Sequence, residues 1–162
     1  MKLFFDEDNG TGIPKAVSLL KAPGLTDIQF PSNDRKFGKW PRGTPDGEWL
    51  PWAGRENYLV ISQNSRILET PNEFALIEPN NVKIVFIENG HSTAWRVFQV
   101  IQSRWSWLAD QWSGTGPLVW ILALSGRAEP FRLEDGVRRS SRERRLGRAT
   151  RDASGGPGRP EA

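Results

Sequence analysis

The chain has 162 residues, of which 37% are hydrophobic, and this is enough for one compact domain with its own core. It contains no cysteine and a single histidine, which excludes a disulfide framework, thiolate zinc sites and most imidazole chemistry. We expect that histidine, His91, to be structural or exposed. No apolar run reaches the roughly 18 to 20 residues of a membrane span, and no secretory signature precedes the first strand, so we expect a cytoplasmic protein that does not bind a membrane.

Charge is distributed unevenly along the chain. Residues 127–162 hold 10 Arg and 6 acidic residues, whereas residues 1–126 hold 12 basic and 13 acidic residues. The C-terminal segment is rich in Arg, Ser, Gly, Pro and Glu and cannot bury enough apolar surface to offset its ordering entropy. We therefore predict a folded domain over 1–126 and a disordered Arg-rich tail over 127–162. The alternative interpretation of the tail is an arm that binds nucleic acid or a partner.

Short runs of β-branched and aromatic residues alternate with stretches of helical periodicity. The runs predict about five strands, at residues 2–5, 26–30, 57–62, 82–88 and 117–125. The stretches between them predict helices at residues 11–22, 43–54, 70–77 and 92–112. Nearly continuous apolar strands joined by helices indicate an α/β domain, with a mostly parallel sheet covered on both faces.

Two of these helices carry start signals. Thr44 is the expected N-cap of the second helix, with Pro45 at its first position. Thr70 and Glu73 have the spacing of a capping box at the start of the third helix. In the long fourth helix, helical spacing places one set of apolar residues on a single face: Val97, Val100, Ile101 and either Trp105 or Leu108.

Polar side chains cluster where the predicted strands end. Acids follow the first strand and begin the second helix, and polar residues follow the third strand: Asp6, Glu7, Asp8, Asp46, Glu48, Ser62 and Asn64. In parallel α/β sheets, ligands bind beyond the carboxyl ends of the strands. Carboxylate and amide oxygens suit Mg²⁺ or Mn²⁺, and a phosphodiester can complete the coordination shell. The pattern therefore favours metal-assisted hydrolysis without a histidine.

Two other motifs compete for the opening stretch DEDNGT. It is close to the DxDGT loop of haloacid-dehalogenase-like phosphatases, but Asn9 stands between Asp8 and Gly10, and the later VFIENG segment offers Glu88 alone. A calcium loop is excluded because Gly10 falls one place early and no glutamate closes the loop. The phosphatase is kept as a weaker alternative.

The segments FFDEDNGTGIPKAV, GTPDGEWLPWAGRENYLVISQNSRI, TPNE, KIVFIE and GPLVWIL together resemble the PIN-like nuclease domains of VapC-type toxins, over residues 1–124. This resemblance implies a three-layer α/β/α PIN-like fold and a Mg²⁺- or Mn²⁺-dependent endoribonuclease acting on RNA. It also implies that the protein is the toxin of a toxin–antitoxin system, held inactive by a cognate antitoxin protein.

The resemblance assigns roles to individual residues. Asp6 matches the first metal-binding acid, Asp46 the acid in the helix, and Asn64 the position where the family usually has Asp. These three are the expected catalytic and metal-binding residues. An amide brings no charge, so the metal loses an attraction of a few kcal/mol at an effective dielectric of about 20. Arg66, two residues further on, is the expected contact for the substrate phosphate.

Further acids are candidates to replace the charge missing at Asn64: Glu7, Asp8 and Glu48. The alternative is a catalytically silent PIN-like module that binds RNA or a partner protein. The eight tryptophans favour anchoring of the long helix to the sheet or to a second subunit over base stacking. They therefore point to an antitoxin-binding surface or a homodimer.

Overall fold

The computed structural model describes residues 1–34, 38–88 and 92–137. Within these ranges the strands are β1 (Lys2–Phe5), β2 (Asp27–Gln29), β3 (Leu59–Ser62), β4 (Lys83–Glu88), β5 (Leu118–Ala123) and β6 (Ala128–Pro130). They form one sheet with the order β2-β1-β3-β4-β5-β6. The first five strands are parallel to their neighbours, and β6 is antiparallel to β5. The predicted mostly parallel sheet is confirmed.

The helices are α1 (Gly12–Leu19), α2 (Asp46–Arg55), α3 (Pro71–Phe74), α4 (Ala94–Ser103) and α5 (Trp105–Ser113). The prediction of one long helix over 92–112 is wrong, because the chain breaks at Arg104, which has φ −105° and ψ 15°. Arginine is a good helix former, so the sequence gives no local sign of this break.

Thr70 is the N-cap residue of α3, as predicted, but neither predicted cap forms its side-chain hydrogen bonds to the helix. Helix α2 begins at Asp46 with Pro45 as its N-cap, and no side chain caps it. The Thr44 hydroxyl donates instead to the carbonyl oxygen of Pro41 at 2.7 Å, and the Thr70 hydroxyl donates to that of Arg66 at 2.9 Å. A threonine hydroxyl can bond either to a helix N–H group or to a nearby backbone carbonyl, and here both threonines bond to carbonyl oxygens upstream of the helix.

The alternation of side chains along the strands builds a core on each face of the sheet. One face packs Leu3, Phe5 and Ile61 against α1, α4 and α5. The other packs Phe4 and Val60 against α2 and the segment that contains α3. Both faces are therefore covered, which confirms the three-layer α/β/α arrangement.

The sheet continues beyond the predicted end of the domain. Strand β6 pairs with β5, and the Phe131 ring lies 6.2 Å from that of Phe74. The predicted start of the tail, residue 127, is thus too early, because β6 is a short, mostly polar edge strand without an apolar pattern. The rest of the predicted tail, 138–162, lies outside the described residues, as does His91. No helix in the described ranges is long and apolar enough to span a membrane.

Candidate active site

The candidate site lies between β1 and β3, where the order of the strands along the chain reverses. The chain leaves β1 for β2 on one side and returns to β3 on the other side. Crevices at such switch points are the usual ligand sites of doubly wound sheets. Asp6 directly follows β1, and its backbone N–H donates to the carbonyl oxygen of Ile61 in β3 at 3.1 Å. The first candidate acid therefore lies in this crevice.

Asp6 is only 4% exposed, and its carboxylate is held on both sides. The Asn9 side-chain amide donates to Oδ1 at 2.8 Å, and the Ser62 hydroxyl donates to Oδ2. Burial is the main reason that the pKa of Asp6 rises to about 7; the charges of Asp8 and Asp46 raise it further, and the Ser62 hydrogen bond lowers it. The acid therefore changes its charge near neutral pH.

Asn9 is a site residue that the sequence analysis missed. Its side chain is 5% exposed and donates to Asp6 Oδ1 and to the carbonyl oxygen of Ile61, each at 2.8 Å. Its own Oδ1 accepts from Gln63 Nε2 at 3.0 Å. The signal was present, because Asn9 is the residue that interrupts the DxDGT-like motif. Its function here is to connect the loop after β1 with β3.

Asp46, the first residue of α2, is half-buried. Burial raises its pKa to about 6, and the charges of Glu73 and Asp8 add to this rise. A hydrogen bond from Trp49 and the charge of Arg66 act in the opposite direction. Asp8 thus acts on both Asp46 and Asp6, which connects the three acids electrostatically. Glu73 is a neighbour of the site that the sequence analysis used only as a capping residue.

Asn64 and Arg66 lie on the same opening as Asp8. A cavity of about 370 Å³ is lined by Asp8, Gln63, Asn64, Ser65 and Arg66. The Asn64 backbone N–H donates to Ser62 Oγ at 2.9 Å, and its Oδ1 accepts from both the backbone N–H and Nε of Arg66, at 3.1 and 3.2 Å. Asn64 therefore stabilises the turn after β3 as well as facing the opening.

Two of the predicted acids are not brought to this opening. Glu7 accepts from Arg42 Nε at 3.1 Å and from the Gly43 backbone N–H at 2.6 Å, and the Gly43 bond is the main reason that its pKa is lowered. Glu48 is exposed, and its charge is not among those that shift the pKa of Asp6 or Asp46. The geometry thus gives no support to either residue as a metal ligand.

A family model described as a PIN like domain matches residues 1–89, more than half of the chain. The chain belongs to the PIN-like domain family. No curated protein and no solved structure matches it. The matched region includes Asp6, Asp46 and Asn64, and PIN-like domains are typically nucleases that bind nucleic acids.

The oxygen donors of this PIN-like domain are few for a divalent cation. In residues 1–34, 38–88 and 92–137, no group of three or more His, Cys, Asp or Glu side chains is arranged to hold a metal ion. Mg²⁺ is usually held by only one or two carboxylates, keeps several waters and takes further oxygens from substrate phosphates. Asp6 and Asp46 offer two carboxylates and Asn64 a neutral oxygen, so the donor types are those that Mg²⁺ takes, without a cluster of three acids.

Proposed function

We propose that this PIN-like domain is a Mg²⁺- or Mn²⁺-dependent endoribonuclease, the toxin of a toxin–antitoxin system, that hydrolyses RNA phosphodiesters. One observation carries the proposal: the buried Asp6 carboxylate follows β1 at the switch point, Ser62 joins it by hydrogen bonds to the Asn64 turn after β3, and the charges of Asp8 and Asp46 add to the rise of its pKa. Carboxylates gathered in this way repel one another, and a bound cation would relieve that repulsion.

In this proposal Asp6 and Asp46 hold the cation, and Asn64 Oδ1 is a third, uncharged donor. When bound there, the cation would lower the pKa of a water molecule and neutralise charge on the leaving oxygen. Asn9 and Ser62 orient the Asp6 carboxylate, in the manner of the outer residues that hold metal ligands in place. The exposed Arg66 guanidinium lies on the same cavity and would contact a substrate phosphate.

A catalytically silent PIN-like module is the second candidate function. It is favoured by the hydrogen bonds that Arg66 makes to Asn64 Oδ1, because they occupy the third donor of the proposed site. The phosphatase alternative has less support, because Asn9 interrupts its motif and donates to Asp6 Oδ1, and Glu88 stands alone after β4.

We propose RNA as the substrate, and a cognate antitoxin or a second copy of the chain as the protein partner. The support for a protein partner is apolar surface between α1 and α4. Leu19, Leu20 and Trp95 are 82%, 68% and 65% exposed, and Leu20 lines two apolar cavities along these helices. Large exposed apolar side chains next to a groove are typical of protein interfaces.

The test is RNA cleavage by the purified chain with Mg²⁺, with Mn²⁺ and with EDTA. Cleavage that requires the metal and is lost in Asp6→Asn and Asp46→Asn, while Arg127→Ala stays active, supports the nuclease. Arg127 is a suitable control because its exposed ion pair with Glu129 lies at the opposite edge of the sheet. RNA binding without cleavage, with unchanged affinity in both aspartate variants, would favour the silent module.

A further inference from the structure

Asp6 and Asp46 reach the crevice from separate parts of the chain that are held by different contacts. Asp6 is fixed by β1 and by buried hydrogen bonds to Asn9 and Ser62. Asp46 follows a long connection, residues 30–45, that joins β2 to α2. The body of α2 is held by Trp49 and Leu50, which are buried in the core, but its first turn has no side-chain cap.

Apolar packing fastens two points of this connection: Phe30 is buried in the core with Leu3 and Phe5, and the Trp40 ring lies 5.6 Å from that of Trp52 in α2. The Ser32 backbone N–H donates to the carbonyl oxygen of Trp40 at 2.9 Å, and that of Arg42 donates to Asn33 Oδ1 at 3.4 Å. The Thr44 hydroxyl and backbone N–H both donate to the carbonyl oxygen of Pro41. These hydrogen bonds join one residue of the connection to another, so they shape it and do not themselves join residues 42–45 to the loop after β1.

Glu7 attaches the last part of the connection, next to α2, to the loop after β1. Glu7 follows Asp6 directly. Its Oε1 accepts a hydrogen bond from Arg42 Nε at 3.1 Å, and its Oε2 accepts one from the Gly43 backbone N–H at 2.6 Å. Gly43 has φ +80°, in the region that favours glycine, and lies three residues before Asp46. Three residues span at most about 11 Å, so a fixed Gly43 restricts where Asp46 can lie.

We propose that Glu7 is a positioning residue, whose bridge to Arg42 and Gly43 holds the uncapped start of α2 so that Asp46 faces Asp6 across the crevice. This inference rests on the proposed function, in which those two acids hold the cation. The charges of Glu73 and Asp8 repel Asp46. The bridge opposes this repulsion, because the Glu7 carboxylate makes charge-assisted hydrogen bonds to Arg42 and Gly43. Glu7 would thus serve metal binding without touching the metal.

The variants are chosen so that a bridge and a ligand give different results. Removing Arg42 takes away a positive charge, and by electrostatics alone this should tighten Mn²⁺ binding. If the bridge positions Asp46, Arg42→Ala weakens binding instead. Glu7→Gln and Glu7→Ala remove the same charge, but glutamine keeps an acceptor for the Gly43 N–H. Positioning therefore predicts a smaller loss for Glu7→Gln than for Glu7→Ala.

The experiment is Mn²⁺ titration of the full chain, with hydrogen exchange of the Gly43 and Glu48 amides as a readout that needs no metal. We expect Glu7→Ala and Arg42→Ala each to weaken Mn²⁺ binding by about tenfold, a usual effect of losing a residue that orients metal ligands. The double variant should lose little more than one single variant, because both changes break the same bridge. Arg127→Ala, which breaks an exposed ion pair elsewhere, should match the wild type.

The outcomes separate this inference from the proposed function. Weaker binding in Glu7→Ala, with equal loss in Glu7→Gln and none in Arg42→Ala, would make Glu7 a ligand and overturn the positioning role. If the wild-type chain binds no Mn²⁺, the proposed function fails, and hydrogen exchange alone then decides whether Glu7 positions the start of α2. Faster exchange at Gly43 and Glu48 in Glu7→Ala upholds the bridge, and unchanged exchange overturns it.

Discussion

The candidate site has a buried half, formed by Asp6, Asn9 and Ser62, and an open half, formed by Asp46, Glu73, Asn64 and Arg66. In the buried half every polar side chain is at most 5% exposed and is hydrogen-bonded to another strand or turn. In the open half the side chains are half-buried or exposed, and Asn64 bonds to its own turn. Rigidity therefore comes from the buried half, whereas access to substrate comes from the open half.

The buried half should carry the largest effect on activity. Asp6→Asn keeps the size of the side chain and removes the charge that would bind the cation. We expect RNA cleavage in Mg²⁺ to fall by roughly 100-fold or more, the scale seen when one electrostatic element of a reaction is removed. Single-turnover rates at saturating RNA measure this. A loss of activity under about threefold would mean that Asp6 does not take part in the reaction and that the buried half is not the more important one for activity.

The same substitution should change how stability depends on pH. The pKa of Asp6 is about 7 in the folded protein and near 3.8 in the unfolded chain, so folding takes up a proton between these values. The contribution of Asp6 to the free energy of unfolding is therefore greatest below about pH 4 and is lost as the pH rises to about 7. It amounts to about 2 to 4 kcal/mol.

Urea denaturation in EDTA at several pH values checks this, with Asp6→Asn as the comparison. The amide resembles the protonated acid, so this variant should be more stable than the wild type at pH 8, and the difference should shrink toward pH 4. Glu134→Gln changes an exposed acid and is the control, expected to follow the wild type. A pH-independent difference between Asp6→Asn and wild type would contradict the raised pKa.

In the open half, Asn64→Asp should strengthen cation binding. Its Oδ1 accepts from two donors of Arg66, and a carboxylate can keep both bonds while adding one negative charge. Arg66 offsets part of that charge, so we expect Mn²⁺ to bind about three- to tenfold more tightly. Calorimetric titration measures the effect. Unchanged affinity would mean that Asn64 does not face the cation.

The smallest effect is expected at Arg66. Arg66→Ala should raise KM for RNA about three- to fivefold and leave kcat nearly unchanged, because an exposed phosphate contact contributes mainly to binding. The dependence of RNA affinity on salt should also become shallower by about one counterion. A fall in kcat with constant KM would show instead that the Arg66 charge acts in the transition state.

The fold was predictable because its signals are local and repeated. Apolar runs gave the five parallel strands, and helical spacing gave the helices that cover them. The break at Arg104 and the unused cap at Thr70 were not predictable, since each depends on contacts that form only after folding. Strand β6 was missed because its residues, Ala128–Pro130, show no apolar alternation.

The candidate site was predicted in part. Asp6 and Asn64 could be placed near the crevice because parallel strands end at the same edge of a sheet. Asn9 was discounted as an insertion in a motif, although it proves to hold Asp6 to the neighbouring strand. The direction of Glu7 could not be known, because neighbouring acids in a short 3-10 turn look alike in sequence and point to different neighbours in space.

The pairing of β4 with β5 has a consequence for residues 1–89, which match the PIN-like family model. That region ends at residue 89, one residue after β4, yet Leu122 and Val119 of β5 belong to the cores on opposite faces of the sheet. The Trp112 indole N–H also donates to the carbonyl oxygen of Asn57 at 2.8 Å. A fragment cut at residue 89 would expose an apolar strand along its whole edge and is expected to aggregate. The recognisable part of this protein is therefore smaller than the part that can fold.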